Sequence, residues 1–149
     1  MAQTVQQIQH YYSGDADWQQ LINRNHNHAE QKEGLWIHRK GATHAEAGMA
    51  EIIPGNMRDS SFIVEGKSNR ESLCSSSHGA GRLTGRKAAK RNLKLKQFAD
   101  AMAGIVAKVD RHTLDEAPFA YKDIFTVTAQ QTELVAIKHL IRPLINIKG

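Results

Sequence analysis

Short apolar clusters separated by polar stretches run along the first half of the chain, and the chemistry of each cluster says which element it forms. Residues 4 to 12 carry a weak helical signal. Leu35-Trp36-Ile37 stands out from the polar, histidine-rich stretch between Trp18 and Arg39 as a strand. Glu51-Ile52-Ile53 runs into Pro54-Gly55, a turn signal that closes a second strand. Phe62-Ile63-Val64 is β-branched and aromatic and predicts a third, ended by Gly66. The stretch SLCSSSHGAGRLTG at 72 to 85 is dense in small residues and too poor in apolar ones for a buried strand.

From 86 to 109 the period changes. Leu93, Phe98, Met102, Ile105 and Val109 fall near helical spacing with Lys and Arg on the other face, which predicts one long basic amphipathic helix, broken near Gly104 if anywhere. The turn DEAP at 115 to 118 leads to AYKDI and a short helix over Asp123 to Gln131. The last segment, LVAIKHLIRPLINIKG, reads as extended, because Pro143 interrupts any helix and β-branched residues gather there. The mixture predicts an α+β fold without strict alternation.

A length of 149 residues suits a single domain over 1–149 with a core of ordinary size. No apolar run approaches the ~18 residues a membrane helix needs, and the start MAQTVQQIQHYY is no secretory signal. The one cysteine, Cys74, forms no intrachain disulfide, which points to a reducing cytoplasm. A net charge of +5 and a pI near 9.5 favour a polyanionic partner.

Four histidines, His26, His28, His38 and His44, lie within nineteen positions. On an extended segment His26 and His28 share a face and could share a metal or a phosphate; the plainer alternative is a solvated histidine-rich loop. SSSHGAGR at 75 to 82 combines glycines, which let the backbone approach a ligand and turn its amides toward it, with His78, a nucleophile toward phosphorus, and Arg82, a cation for phosphate oxygens. A helix following the loop would favour an anion at its N-terminus. The alternative is a flexible glycine-serine turn. Arg39-Lys40-Gly41 offers two more cations for phosphate, and Asn56 in the turn Pro54-Gly55-Asn56-Met57 could hydrogen-bond a base or ribose, although each alone reads first as an ordinary turn.

Taken together, HRKGATHAEAGMAEIIPGNMRDSSFIVEGKSNRESLCSSSHGAGRLTGRKAAK at 38 to 90, with NHN at 25 to 27, AYKDI at 120 to 124 and Lys148-Gly149, strongly resemble the RtcB family of RNA-splicing ligases. The likeness runs from about Leu21 to the end and corresponds to the C-terminal third of such an enzyme. It implies a GTP- and manganese-dependent ligase that joins RNA ends bearing a 3′-phosphate, or a 2′,3′-cyclic phosphate, to 5′-hydroxyl ends in tRNA splicing or RNA repair.

By the same resemblance His78 is the nucleophile that carries GMP, and Gly79, Ala80 and Gly81 hold the nucleotide through their backbone. His26 is a manganese ligand and Asn27 a nucleotide contact. Pro54, Gly55, Asn56 and Met57 form the guanosine turn, Ser61 contacts guanine, and Lys148 reaches the guanine on an ordered C-terminus. His28 falls where the family usually has an aromatic residue and so leaves the ligand set. Arg58 stands in place of a usual glycine, and Thr84-Gly85 in place of Met-Ser. The family's further metal ligands, an aspartate, a cysteine and two histidines, would come from a complementing N-terminal portion, and exposed apolar surface is expected where that portion docks. The other function the resemblance allows is an incomplete fragment that only binds GTP or RNA.

Overall fold

The computed structural model describes residues 17–147, so the expected helix at 4 to 12 and the final Lys148-Gly149 lie outside the described residues. Within them the fold is α+β, as expected: β1 (Asn27–Lys32), β2 (Leu35–Lys40), β3 (Ala42–His44), β4 (Ala50–Pro54), β5 (Ser61–Gly66), β6 (Ser75–Ser77), α1 (Arg86–Asn92), α2 (Leu95–Ala101), β7 (Val106–Ala107), α3 (Ile124–Ala129), β8 (Val135–Ile141) and β9 (Ile145–Asn146). No helix among these residues is long and apolar enough to cross a membrane.

The strands form small sheets. β1 and β2 make an antiparallel hairpin, β3 pairs antiparallel with β6, β5 lies between β4 and β8 in an antiparallel three-stranded sheet, and β7 runs parallel to β9. β5 shows why this sequence makes a strand: Phe62, Val64 and Gly66 alternate inward while Ser61, Ile63 and Glu65 face outward. Phe62 and Val64 join Ala45, Ile53, Ala80, Ile124 and Val135 in one core cluster. A second cluster gathers Met57, Phe98, Met102, Leu114 and Ala117, with Leu93, Ile105, Ala107 and Val109 packed against it.

Two expectations are corrected. The long basic helix expected over 86 to 109 is two short ones that end at Ala101, because Leu93 and Lys94 adopt extended backbone (ψ 147° and 131°) between α1 and α2, and Val106–Ala107 form strand β7 instead. The break lets the second helix turn so that Phe98 and Met102 enter the core beside Met57. The apolar spacing was read correctly; it marks which residues face inward and says nothing about the continuity of the backbone joining them. Second, the serine-rich stretch contains a strand after all. Ser76 of β6 is buried, and its hydroxyl donates to the carboxylate of Glu51 on β4 at 3.3 Å. Burial there is polar, which an apolar count cannot detect.

The short helix predicted near Asp123 is present, started by the Asp123 carboxylate, which accepts from Phe125 N–H and Thr126 N–H at 3.3 and 3.1 Å and from the Thr126 hydroxyl at 2.6 Å. Asp123→Ala should therefore lower stability by about 1 kcal/mol, read as a lower urea midpoint with an unchanged slope. Leu35, Trp36, Leu73 and Leu144 are each more than half exposed, in keeping with the expected apolar surface.

Candidate nucleotide and metal site

The loop that carries His78 is held from three sides. β6 ends at Ser77 opposite Ala42 of β3, and His78 N–H then donates to Gly41 carbonyl at 3.4 Å. Gly41 has φ +75°, a conformation that favours glycine, and a Cβ there would be in ordinary contact with the imidazole, 3.6 Å from His78 Cε1 and 3.7 Å from Nδ1. Gly41 N–H also donates to His26 carbonyl at 3.1 Å, so one glycine ties both histidines together. Their rings stack, with centroids 5.3 Å apart and planes 11° apart. His78 Nδ1 is buried and has no hydrogen-bond partner among the described residues.

On its other side the loop abuts the Pro54 turn. Ala80 N–H donates to Pro54 carbonyl at 3.0 Å, and a Cβ on Gly79 would meet the same oxygen at 3.0 Å. Gly55 is packed just as closely, since a Cβ there would collide with Ser60 carbonyl. The His78 loop and the PGNM bend are thus in direct contact, as an arrangement around one ligand requires. Ser61 opens β5 opposite Pro54. Gly81 has φ +74°, and its carbonyl accepts from Lys122 N–H at 3.0 Å, so the AYKDI segment closes the loop from behind.

Several side chains have local duties. The Asn56 amide accepts from Arg58 N–H and Asp59 N–H at 3.0 and 2.9 Å and donates to the Asp59 carboxylate at 2.7 Å, so it builds the turn. Met57 is buried in the second core cluster, and its carbonyl accepts from Asn146 at 2.7 Å, which ties β9 to the turn. Asn27 is exposed, its Oδ1 3.4 Å from His38 Nε2.

The two arginines read from sequence as phosphate cations are structural instead. Arg39 is buried and donates to Glu30, to Ser75 hydroxyl at 2.8 Å and to Leu73 carbonyl at 2.9 Å. Arg82 donates to Asp115 carbonyl, Glu116 and Tyr121 hydroxyl at 2.7, 2.9 and 2.9 Å, and lies over the Tyr121 ring. Both spend their donors on the protein's own oxygens. Burial, with Glu116 as hydrogen-bond partner, pushes the Tyr121 phenol up to about 12, so it stays protonated in this network. The helix after the loop begins only at Arg86, well beyond His78.

His26 and His28, expected to share a face, have separate partners. His26 precedes β1 and meets His78, whereas His28 and Glu30 alternate inward along β1 toward His44 of β3. His28, Glu30 and His44 form a cluster in which one donor atom of each lies within 4.8 Å of the others. The alternation of His28 and Glu30 is visible in sequence; their approach to His44 depends on how β3 sits beside the hairpin. The Arg39 guanidinium holds the Glu30 carboxyl below its ordinary value, and burial lowers His44, favouring its neutral imidazole. His26 by itself does not make a metal site, because a bound metal generally takes three or more protein ligands.

Comparison with known proteins shows the family. A family model described as tRNA-splicing ligase RtcB matches residues 1–149. The RNA-splicing ligase RtcB of Escherichia coli is 42% identical over 132 residues, covering 86% of this chain and 32% of that protein. The tRNA-splicing ligase RtcB of Pyrobaculum aerophilum is 32% identical over 136 residues, 77% of this chain and 28% of its own length. That of Thermococcus kodakarensis is 36% identical over 110 residues, 61% of this chain and 23% of its own. The class these likenesses define is that of RNA-splicing ligases. The chain belongs to the RtcB family within it, and it spans about a third or less of the length of these relatives.

Proposed function

We propose that this chain is the nucleotide-binding portion of a GTP- and manganese-dependent RNA ligase, with His78 as its nucleophile. The observation that supports the reading is the contact between the His78 loop and the Pro54 turn: Gly79 lies against the Pro54 carbonyl, Ala80 N–H donates to it, and Gly55 is tightly packed. Backbone amides of Gly79 and Gly81 then face the phosphates, whereas Ala80, expected to hold the nucleotide through its backbone, donates its N–H to the Pro54 carbonyl and joins the loop to the turn; Pro54 to Met57 and Ser61 border the guanosine. Asn27 is a further nucleotide contact beside His26. Lys148 is the further guanine contact we propose, and Asn146, two residues before it in sequence, donates to the Met57 carbonyl at 2.7 Å.

His78 attacks the α-phosphorus of GTP; a P–N bond forms and pyrophosphate leaves. The GMP passes to the RNA 3′-phosphate, which breaks the P–N bond and gives a diphosphate-linked end. The 5′-hydroxyl then attacks the RNA phosphorus, loses its proton, forms the phosphodiester and releases GMP. Bound manganese supplies Lewis-acid neutralisation of triphosphate charge; His26 offers one ligand, and we assign the others to the part of the relatives' length that this chain does not span. The near-parallel stacking of His26 on His78 limits how the nucleophile can turn.

The test is incubation with manganese and GTP labelled in the α-phosphate, with and without the N-terminal portion of a relative. Acid-labile label should appear on the protein in the complemented mixture, and His78→Ala should abolish it. Wild type that stays unlabelled there, while binding RNA with affinity that falls steeply with salt, would leave a binding module instead, the reading favoured by the single ligand at His26.

A further inference from the structure

His28, Glu30 and His44 take no part in the chemistry just derived, yet they converge. We propose that these three side chains bind one divalent transition-metal ion of the zinc class, which fastens the β1–β2 hairpin to β3. The donor set is two imidazoles and a carboxylate, suited to zinc, cobalt or iron. His28 Nε2 lies 2.8 Å from His44 Nε2, with ring centroids 4.8 Å apart, and Glu30 Oε2 lies 3.5 Å from His44 Nε2. An ion about 2.0–2.1 Å from each nitrogen needs them roughly 3 Å apart, so the rings separate by well under an ångström to admit it.

The surroundings suit this use. Glu30 is oriented by Arg39, which takes its Oε1 and leaves Oε2 toward His44. An outer partner that fixes a ligand in this way is a usual feature of metal sites. His44 Nδ1, opposite the converging atoms, is 3.8 Å from Glu46 Oε2, beyond hydrogen-bond distance. Without an ion, the 2.8 Å contact lets one imidazole donate to the other, and the buried Nδ1 atoms of both rings still have no hydrogen-bond partner among the described residues. Arg39 and Lys32 bring two positive charges nearby, paired with the carboxylates of Glu30 and Glu46.

Placement gives the ion a task. β1 and β2 form a separate two-stranded ribbon, and His26 sits at its base, stacked on the residue that follows β6. β3 is the partner of β6. A clamp from β1 to β3 therefore fixes the ribbon against the strand pair that leads to His78.

Cobalt(II), added to the metal-free chain, should give one ion per chain with visible d–d absorption. His28→Gln and His44→Gln should each weaken binding about 100-fold, whereas His26→Ala should bind as wild type does. Zinc should raise the melting temperature of wild type and His26→Ala but not of His44→Gln. Proton–nitrogen spectra of the wild-type imidazoles need no variant to fold, and zinc should shift the ring nitrogens of His28 and His44. The proposal is overturned if wild type binds no cobalt, if these ring signals stay unmoved, or if His26→Ala loses the ion while His44→Gln keeps it.

Discussion

Glu51→Gln should stabilise this chain by about 2–3 kcal/mol near pH 8 and change little near pH 4. Glu51 points inward from β4, opposite Val64 of β5, and is 1% exposed. Only the Ser76 hydroxyl, at 3.3 Å, donates to it, and its other carboxylate oxygen is buried without a partner among the described residues. Burial pushes its pKa up from 4.5 to about 7, and the Ser76 hydrogen bond offsets only part of that rise. Because the folded value lies above the unfolded one, the native state binds the extra proton between them. Stability is therefore highest at and below about pH 4.5 and falls as pH rises toward 7, by up to about 3 kcal/mol at ~1.4 kcal/mol per unit. Glutamine keeps the shape and the acceptor for Ser76 but cannot ionise, and its extra N–H donors cost part of the gain. Urea unfolding at a series of pH values should show two curves that meet in acid and separate as pH rises toward 7, the variant lying above the wild type. Parallel curves would show that Glu51 titrates alike in the folded and unfolded chain, so that burial does not raise its pKa.

That buried carboxylate also shows what a hydropathy pattern conceals. The β4 and β5 strands were legible because Ile52, Ile53, Phe62 and Val64 are β-branched or aromatic and end at Pro54-Gly55 and Gly66. β6 was not, because its inward residue is Ser76, satisfied by a hydrogen bond from a neighbouring strand. The apolar positions from Leu93 to Val109 were read correctly as facing inward, yet the backbone between α1 and α2 breaks where Leu93 turns to meet the core.

The site divides in the same way. His78, the glycines after it and the Pro54 turn were legible because their order along the chain matches a family, and the structure brings the two loops together. Arg39 and Arg82 looked like phosphate contacts because a sequence shows a guanidinium and hides the carboxylate within its reach. Glu30 and Glu116 stand 9 and 34 positions from their arginines and meet them only after folding. His44 was hidden for a like reason, since its approach to His28 spans sixteen residues and two strand pairs.

Arg39→Ala should cost about 2–4 kcal/mol, less than the loss of a fully buried ion pair because the Glu30 side chain is 31% exposed. The guanidinium is 2% exposed in β2 and spans three elements, pairing with Glu30 of β1 while donating to Ser75 of β6 and to the Leu73 carbonyl before it. Truncation strands the carboxylate, leaves the carbonyl without this donor and opens a cavity, three losses that act in one place. A pH signature separates the ion pair from mere packing. Arg39 holds Glu30 below its ordinary value near 4.5, so the pair contributes stability above that value and loses it as pH falls through the lower folded pKa. The gap between wild type and Arg39→Ala should narrow on acidification below about pH 4.5, whereas a cavity alone would leave it constant. Arg39→Lys restores the charge without the planar fork and should recover only part of the loss, because one ammonium cannot face Glu30, Ser75 and Leu73 together. Since Arg39 also turns Glu30 toward His44, Arg39→Lys should bind cobalt more weakly than wild type even where it is folded, which links the stability of the hairpin to the ion it is proposed to hold.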